Sequence, residues 1–148
     1  MRTLIQRVNS ASVSSKGELV SSIGKGLLLF IAFEKSDTQE IVRKSMEKTV
    51  LMRIFSDSND KLNLSLKDTG GEVLAISQFT LASDCTHGHR PGFDNGLRYN
   101  EAKPLYEYAL KCLNDLMPSS VKSGLFGEDM QVALVNDGPC TFMLDIRA

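Results

Sequence analysis

Three polar residues, Ser77, Gln78 and Thr80, with Phe79 among them, interrupt the apolar interior of the segment 72–83, whose two end residues are also polar. In a buried strand, a hydroxyl or amide without a hydrogen-bond partner costs roughly 1–3 kcal/mol. If the strand ends near these residues, backbone N–H groups become free to bind a ligand. The alternative is a strand end whose polar groups bond to neighbouring strands, and the residue types leave both possibilities open.

A second polar motif, Asn136–Pro139, separates two apolar segments near the end of the sequence. Pro139 has no N–H group and breaks a strand ladder, while Gly138 has no Cβ and admits a close neighbour. The ordinary interpretation is a hairpin turn with a trans Gly138–Pro139 bond. The alternative is a cis bond that directs two carbonyl oxygens the same way, as an acceptor pair for a cation such as an α-ammonium group.

The long polar segment 84–99 holds residue types that metal or acid–base chemistry uses, namely Cys85, His87, His89 and Arg90. A zinc site takes three or four ligands at characteristic spacing, and no second cluster completes one. The sequence also lacks a GxSxG elbow, a P-loop and a dinucleotide fingerprint. We therefore expect no metal and no cofactor, a solvated loop or a phosphate contact at Arg90, and chemistry that depends on backbone groups.

The composition is that of one globular domain over residues 1–148, with no membrane span. The chain is 42% hydrophobic and 24% charged, with a formal net charge of −1. This near-neutral charge gives no general attraction for nucleic acid, so such a partner would need a local patch or pocket. Cys85, Cys112 and Cys140 form no spaced pair, and the N-terminus is not signal-like. These features predict reduced thiols and a cytoplasmic location.

The hydrophobic patterns predict an α+β fold, with a curved, mostly antiparallel, barrel-like sheet and two main helices. The first helix is expected to follow Asp37 as its cap, with Glu40 in a capping box. The second is expected from Asn100 to Met117, with Pro104 in its first turn. Residues 68–71 are predicted to form a turn. The predicted strands are residues 2–8, a hairpin over 12–23 around Lys16–Gly17, buried strands at 27–33 and 72–83, an edge strand within 56–66, and a final strand pair around NDGP.

The motifs SQFTL, residues 77–81, and NDGPCT, residues 136–141, together resemble the D-aminoacyl-tRNA deacylase family. The resemblance extends over nearly the whole chain and includes LIQRV, ASV, RIFSD, the Arg90–Pro91 pair and DMQVALVNDGP. This chain departs from the family at two positions. Cys140 follows Gly-Pro where Val is common, and Gly92 stands in the loop where the family usually has RPSF.

The resemblance implies an enzyme that hydrolyses the ester between a D-amino acid and the terminal adenosine of tRNA, and that also removes mischarged glycine. It implies a homodimer in which each subunit's Gly138–Pro139, cis in the main branch, enters the partner's active site. The family's catalytic motif falls on Ser77, Gln78, Phe79 and Thr80. Its adenosine pocket falls on Phe126 and Met130.

Two chemical routes are compatible with this resemblance. In the first, backbone N–H groups near Phe79 and Thr80 stabilise the tetrahedral oxyanion, and the ribose 2′-hydroxyl orients the attacking water. In the second, Thr80 is a nucleophile, although the sequence shows no adjacent base. In either route, the carbonyls at Gly138–Pro139 would exclude an L side chain and admit glycine. The alternative function is a non-catalytic module that binds the tRNA 3′ end or a small molecule.

Overall fold

The computed structural model describes all 148 residues, Met1 to Ala148. One six-stranded sheet curves into a nearly closed barrel, and a separate two-stranded ribbon lies beside it. The predicted α+β class, the barrel-like sheet and the two main helices are confirmed. The elements are β1 Arg2–Ser15, β2 Glu18–Ile23, β3 Gly26–Ala32, α1 Gln39–Leu51, β4 Phe55–Ser56, β5 Leu62–Leu64, α2 Leu66–Thr69, β6 Glu72–Ser77, a 3-10 turn Phe79–Ala82, α3 Tyr99–Leu116, β7 Val121–Ser123 and β8 Gln131–Asp145.

Strand β1 holds most of the sheet together. Along one edge, its first half pairs antiparallel with β3 and its second half pairs antiparallel with β2. Along the other edge, β8 runs antiparallel to β1 from Arg2 to Ser14. Lys16 and Gly17 have φ values of 52° and 79°, which confirms the predicted tight turn between β1 and β2. Because β8 pairs only with β1, its other edge is open.

Strands β3 and β6 pair in parallel and are buried on both faces. Leu27, Leu29 and Ile31 pack against the helices in one core, while Leu28 packs with Leu74 in a second core inside the barrel. This two-sided burial is the reason that both strands appear in the sequence as uninterrupted apolar runs. A second parallel pair, β6 with β7, accompanies the three antiparallel pairs of the sheet.

The predicted helix caps are wrong at both long helices. Thr38, not Asp37, caps α1, because the Asp37 carboxylate accepts hydrogen bonds from the Met1 amino group and the Glu34 N–H. Glu40 takes no part in a capping box and forms an ion pair with Lys44. Helix α3 begins at Tyr99 after Arg98, which makes no side-chain cap. Pro104 therefore lies in the second turn of α3.

The predicted turn at residues 68–71 is instead the end of a short helix, α2. Ser65 and Asp68 form a capping box, in which each side chain accepts from the other residue's backbone N–H. Gly70 ends the helix with φ 65°. This capping signal was present in the sequence at a spacing of three residues.

No helix in the structure has both the length and the apolar character that crossing a bilayer requires.

Two predicted strand boundaries are also wrong. Strand β6 stops at Ser77, and the chain turns into the 3-10 segment Phe79–Ala82, so the predicted strand over 72–83 is too long. The predicted strand pair around NDGP is a single strand, β8, with an excursion at residues 137–140 opposite Arg7. Both changes occur at motifs that the sequence marks as unusual.

Candidate active site

A cleft of about 550 Å³ opens where the parallel strands β3 and β6 end. Carboxyl ends of parallel strands are common ligand sites, because the chain leaves the sheet there and its loops diverge. Helix α3 contributes Tyr99 and Ala102 to the wall, and Leu97 joins them from just before its first turn. The predicted residues that line this cleft are Ser77, Gln78, Phe79, Phe126 and Met130.

The end of β6 leaves two backbone donors free at the cleft. The Gln78 N–H donates to Ile31 O over 2.8 Å, the last contact between β6 and β3. The first bond of the following turn runs from Leu81 N–H to Gln78 O. The N–H groups of Phe79 and Thr80 precede that bond and have no partner within the turn, as at any helix start. Two adjacent free donors of this kind can bind a carbonyl oxygen or an oxyanion.

The Thr80 hydroxyl lies beside these donors but has no base next to it. Its Oγ1 accepts a hydrogen bond from Gln78 Nε2 at 2.6 Å, and the backbone carbonyl of Thr80 accepts from the Ser83 hydroxyl, also at 2.6 Å. An amide N–H cannot remove a proton, so this contact does not activate Thr80 as a nucleophile. Thr80 is exposed and does not line the cleft itself.

The residues of the long loop stay apart from this cleft. His87 and His89 are exposed and do not line it, and the structure contains no group of three or more His, Cys, Asp or Glu side chains placed to hold a metal ion. Gly92 and Asp84 exchange two backbone hydrogen bonds of 2.8 Å, which close the loop on itself. The Thr86 hydroxyl and N–H both donate to the Asp84 carboxylate, and these bonds lower the pKa of Asp84.

An aromatic stack borders the cleft, which two of its three rings, Tyr99 and Phe126, line. Phe126 lies between Tyr99 and Tyr106, with ring centroids 5.1 Å and 5.3 Å apart, respectively. Tyr106 is buried, and its hydroxyl donates to Ala75 O at 2.9 Å, which fixes the stack to β6. Sequence reasoning identified Phe126 but missed both tyrosines. Tyr106 lies on a helical apolar stripe, where an aromatic residue normally belongs to the core.

Met130 and two glycines complete this wall. Met130 Sδ accepts a weak hydrogen bond from Leu125 N–H at 3.4 Å. A Cβ on Gly124 would lie 2.6 Å from that sulfur, and a Cβ on Gly127 would lie 2.4 Å from the Tyr99 ring. Gly127 also has φ 77°, so this loop can pass close to the aromatic stack only because both residues lack a side chain.

Gly138 and Pro139 are joined by a cis peptide bond, both are exposed, and neither lines the cleft of its own chain. Gly138 has φ 142°, and a Cβ there would lie 2.9 Å from Cys140 N. The neighbouring Asp137 borders a second concavity of about 350 Å³ on the side of Arg7 and Lys25. The structure therefore places the two unusual motifs of the sequence at separate surfaces of one chain.

Polar contacts hold the NDGP segment from both flanks. Arg7 Nε donates to Asp137 O at 3.0 Å, and its Nη1 donates to Ile54 O at 2.9 Å. On the other flank, the Cys140 N–H donates to the Asn136 Oδ1 at 2.7 Å. Cys140 is itself buried, so its thiol occupies a packing position. Arg7 was missed as a site residue because a single arginine in a strand has no motif of its own.

Comparison with known proteins assigns this arrangement to a family. A family model described as D-Tyr-tRNA(Tyr) deacylase matches residues 4–145. The chain belongs to the D-Tyr-tRNA(Tyr) deacylase family. Membership of this family makes it an enzyme of the hydrolase class, which confirms the prediction of an enzyme.

Relatives match along nearly their whole length. A D-aminoacyl-tRNA deacylase of Thermodesulfovibrio yellowstonii is 46% identical over 147 residues, covering 99% of this chain and 100% of that protein. A protein with the same name from Haemophilus influenzae is 48% identical over 146 residues, with the same coverage.

Two solved structures resemble this one closely. One, described as a c-Myc DNA unwinding element binding protein, has a TM-score of 0.96 at 35% identity and covers 100% of both chains. The other, described as a probable eukaryotic D-amino acid tRNA deacylase, has a TM-score of 0.84 at 19% identity and covers 98% of each chain. The second likeness concerns the fold alone.

Replacing Tyr106 with Phe tests how the aromatic wall is held. Burial raises the pKa of Tyr106 to about 12, whereas an unfolded tyrosine ionises near 10. The neutral Tyr106 phenol therefore makes its full contribution to the free energy of unfolding below pH 10. That contribution is lost as the pH rises towards 12. At pH 11 we expect wild type to have lost about 1.4 kcal/mol of unfolding free energy that Tyr106→Phe does not lose. Urea unfolding between pH 8 and 11 measures this, and equal pH slopes for both proteins would contradict it.

Proposed function

We propose that the protein hydrolyses the ester of D-aminoacyl-tRNA, releasing a free D-amino acid and intact tRNA. One observation supports this proposal most directly: Phe79 and Phe126 line the same cleft, and the N–H groups of Phe79 and of the next residue, Thr80, have no hydrogen-bond partner. A donor pair suits the scissile carbonyl, and an aromatic wall suits a nucleobase. An ester between an amino acid and an adenosine needs both. The names of the family and of its relatives agree with this substrate class.

The terminal adenosine occupies the end of the cleft lined by Phe126 and Met130. Its base packs on the Phe126 ring, next to the Met130 thioether, and its ribose is directed towards β6. The ester carbonyl then reaches the amides of Phe79 and Thr80, which bind the oxygen as it becomes negatively charged in the tetrahedral intermediate. Ser77 and Gln78 position this turn from the end of the strand, and Gln78 holds the Thr80 side chain aside.

Water is the nucleophile in this mechanism. No His, Asp or Glu makes a hydrogen bond to the Thr80 hydroxyl, so the protein supplies no base for a covalent route through that residue. The ribose 2′-hydroxyl of the substrate lies next to the ester and orients the attacking water. The water oxygen forms a bond to the carbonyl carbon, the bond from that carbon to the ribose 3′-oxygen breaks, and the proton that the water loses ends on the leaving 3′-oxygen.

Chirality is selected by a second copy of the chain. In a homodimer, the exposed Gly138–Pro139 of one subunit enters the cleft of the other. Its carbonyl oxygens bind the substrate α-ammonium group and occupy the space that an L side chain would need. A D side chain points to solvent, and glycine has none to exclude, so mischarged glycyl-tRNA is also hydrolysed. Support comes from the open edge of β8, where Val135 and Met143 are each more than half exposed.

The tRNA body makes few general electrostatic contacts with this protein. Its formal net charge is −1, so affinity for the phosphate backbone depends on local cations such as Arg90 and Arg98, both of which lie outside the core. The reaction belongs in the cytoplasm, where charged tRNA serves translation. There it removes D-amino acids before they reach the ribosome.

Direct assay of matched substrates tests the function. We expect D-Tyr-tRNA to be deacylated at least about a hundredfold faster than L-Tyr-tRNA under single-turnover conditions, because steric exclusion of the L side chain costs several kcal/mol. Release of labelled tyrosine is the measurement, with spontaneous hydrolysis as the blank. Binding of both tRNAs without selective release of the D-amino acid would favour the non-catalytic module instead.

Thr80→Ala separates the two chemical routes. The variant removes the hydroxyl but keeps the backbone N–H, so we expect the rate with D-Tyr-tRNA to stay within about fivefold of wild type. Thr80→Pro is the contrasting variant, since it removes the N–H itself. A fall of Thr80→Ala to the spontaneous rate, with trapping of a tyrosyl-enzyme ester on the wild type by mass spectrometry, would establish the covalent route.

Gly138→Ala tests the chirality filter. The new Cβ would lie 2.9 Å from Cys140 N at φ 142°, so the dipeptide must move. We expect the ratio of D-Tyr to L-Tyr release rates to fall at least about tenfold while the chain stays folded. Gly17→Ala is the control, because Gly17 also has positive φ, 79°, but has open space around it. The filter is assigned wrongly if both variants keep the wild-type ratio.

A further inference from the structure

Phe79 and Phe93 form an exposed aromatic pair at the rim of the cleft. Their ring centroids lie 5.4 Å apart with the planes tilted by 60°. Phe79 is 60% exposed and Phe93 is 49% exposed. Single exposed apolar residues are common on protein surfaces, but two paired aromatic rings next to a site are typical of binding surfaces. The mechanism above uses only the backbone of Phe79, so neither ring has a role in it.

The loop that carries Phe93 is held in place on both sides. Before Phe93, the backbone bonds between Gly92 and Asp84 are both 2.8 Å. After it, Gly96 N–H donates to Phe93 O at 3.2 Å, and Leu97 N–H donates to Phe33 O at 3.0 Å. Phe33 is a buried core residue. The ring of Phe93 is therefore presented by a fixed backbone, which reduces the entropy lost when a ligand packs on it.

The pair adjoins the cleft in which the terminal adenosine is proposed to bind. Phe79 lines the cleft and Phe93 does not, so the two rings extend from the cleft wall onto the outer rim. Tyr99 and Phe126, which stack on each other, line the same cleft as Phe79. The nucleotide that precedes a bound terminal adenosine lies on the surface around the cleft, and the Phe79–Phe93 pair is an exposed aromatic part of that surface. Arg90, three residues before Phe93, is exposed and supplies a cation for a phosphate on this surface.

We propose that the Phe79–Phe93 pair is a stacking site for the nucleobase that precedes the terminal adenosine of the tRNA. This inference rests on the proposed function and adds a second base-binding position to it. Stacking on an aromatic ring does not depend on base identity, because every base has a π-face. The site thus strengthens binding of any tRNA 3′ end without selecting among amino acids or tRNAs.

A cycle that combines a protein change with a substrate change tests this contact. The four rates are those of wild type and Phe93→Ala, each with D-Tyr-tRNA and with the same tRNA lacking the base of its penultimate nucleotide. We expect Phe93→Ala to lower kcat/KM for intact tRNA by about 5- to 50-fold, within the range found for base–aromatic stacking. Removing the base should lower the wild-type value by a similar factor. The two changes together should cost little more than either alone, because both delete the same contact.

Further variants separate ring stacking from simple apolar contact and from self-association. Phe93→Tyr keeps a planar ring and should restore most of kcat/KM, whereas Phe93→Leu keeps apolar bulk and should not. Leu51→Ala, at an apolar side chain 55% exposed on α1, is the control and should leave every rate unchanged. Sedimentation of each variant checks whether the pair instead contacts a second copy of the chain.

The outcomes distinguish this inference from the function on which it rests. The stacking site would be overturned if Phe93→Ala lowered kcat/KM by the same factor on both tRNAs, so that the two losses were additive. A change of oligomeric mass in Phe93→Ala would also overturn it, and either result would leave the deacylase function intact. Failure of wild type to release tyrosine from D-Tyr-tRNA would overturn the proposed function, and the stacking site with it.

Discussion

The parallel pairing of β3 with β6 is the constraint on which the site depends. Both strands are buried on two faces, between the helical layer and the barrel interior, so neither can shift or lengthen without exposing apolar side chains. Their pairing ends with the hydrogen bond from Gln78 N–H to Ile31 O. Beyond that bond the chain must turn away from the sheet. The turn leaves the N–H groups of Phe79 and Thr80 without a partner, next to the cleft that Phe79 lines.

The proposed mechanism assigns the chemistry of this site to main-chain groups. The side chains around it support the backbone: Gln78 bonds to Thr80, Tyr106 bonds to Ala75 O, and Ser83 closes the turn. None of these groups ionises near neutral pH, and burial keeps the Tyr106 phenol protonated by raising its pKa. Fixed dipoles of backbone amides require no reorganisation as charge develops on the substrate, which is an advantage over a flexible side chain. The proposed chirality filter at Gly138–Pro139 also relies on main-chain groups, and Arg7 and Asn136 hold this dipeptide from either flank.

The two motifs lie at separate surfaces of one chain, and for this reason the proposed active site is formed by two chains. Gly138–Pro139 interrupts β8, an edge strand with one side unpaired, whereas the free amides lie at the far ends of β3 and β6. Bringing the motifs together within one chain would require breaking the pairing of β8 with β1. In the proposed homodimer, a second copy would bring them together without any such change.

Much of the fold could be predicted from local sequence patterns. The predictions that were wrong have a common cause. The sequence predicted the two long helices, the Lys16–Gly17 turn and the two-sided burial of β3 and β6. Each of these features depends on residues that are neighbours in the sequence. Asp37 was predicted to cap α1, but its carboxylate accepts hydrogen bonds from the Met1 amino group and the Glu34 N–H. The fold, and not the local sequence, brings Met1 next to Asp37. The residues 72–83 looked like one strand, yet β6 ends where its partner β3 ends. The length of a strand depends on where its hydrogen-bonded neighbour ends. The sequence of the strand itself carries no information about that point.

The sequence by itself determined the fold class, the residues of both motifs and, through them, the family. It did so because hydrophobic periodicity and short motifs are local properties of the chain. Only the tertiary structure decided that Phe79 and Thr80 have free amides, that Tyr99 and Tyr106 pack against Phe126, and that residues 137–140 form an excursion within one strand opposite Arg7. Each of these depends on hydrogen bonds and contacts between residues far apart in sequence, whose geometry exists only once the sheet has closed.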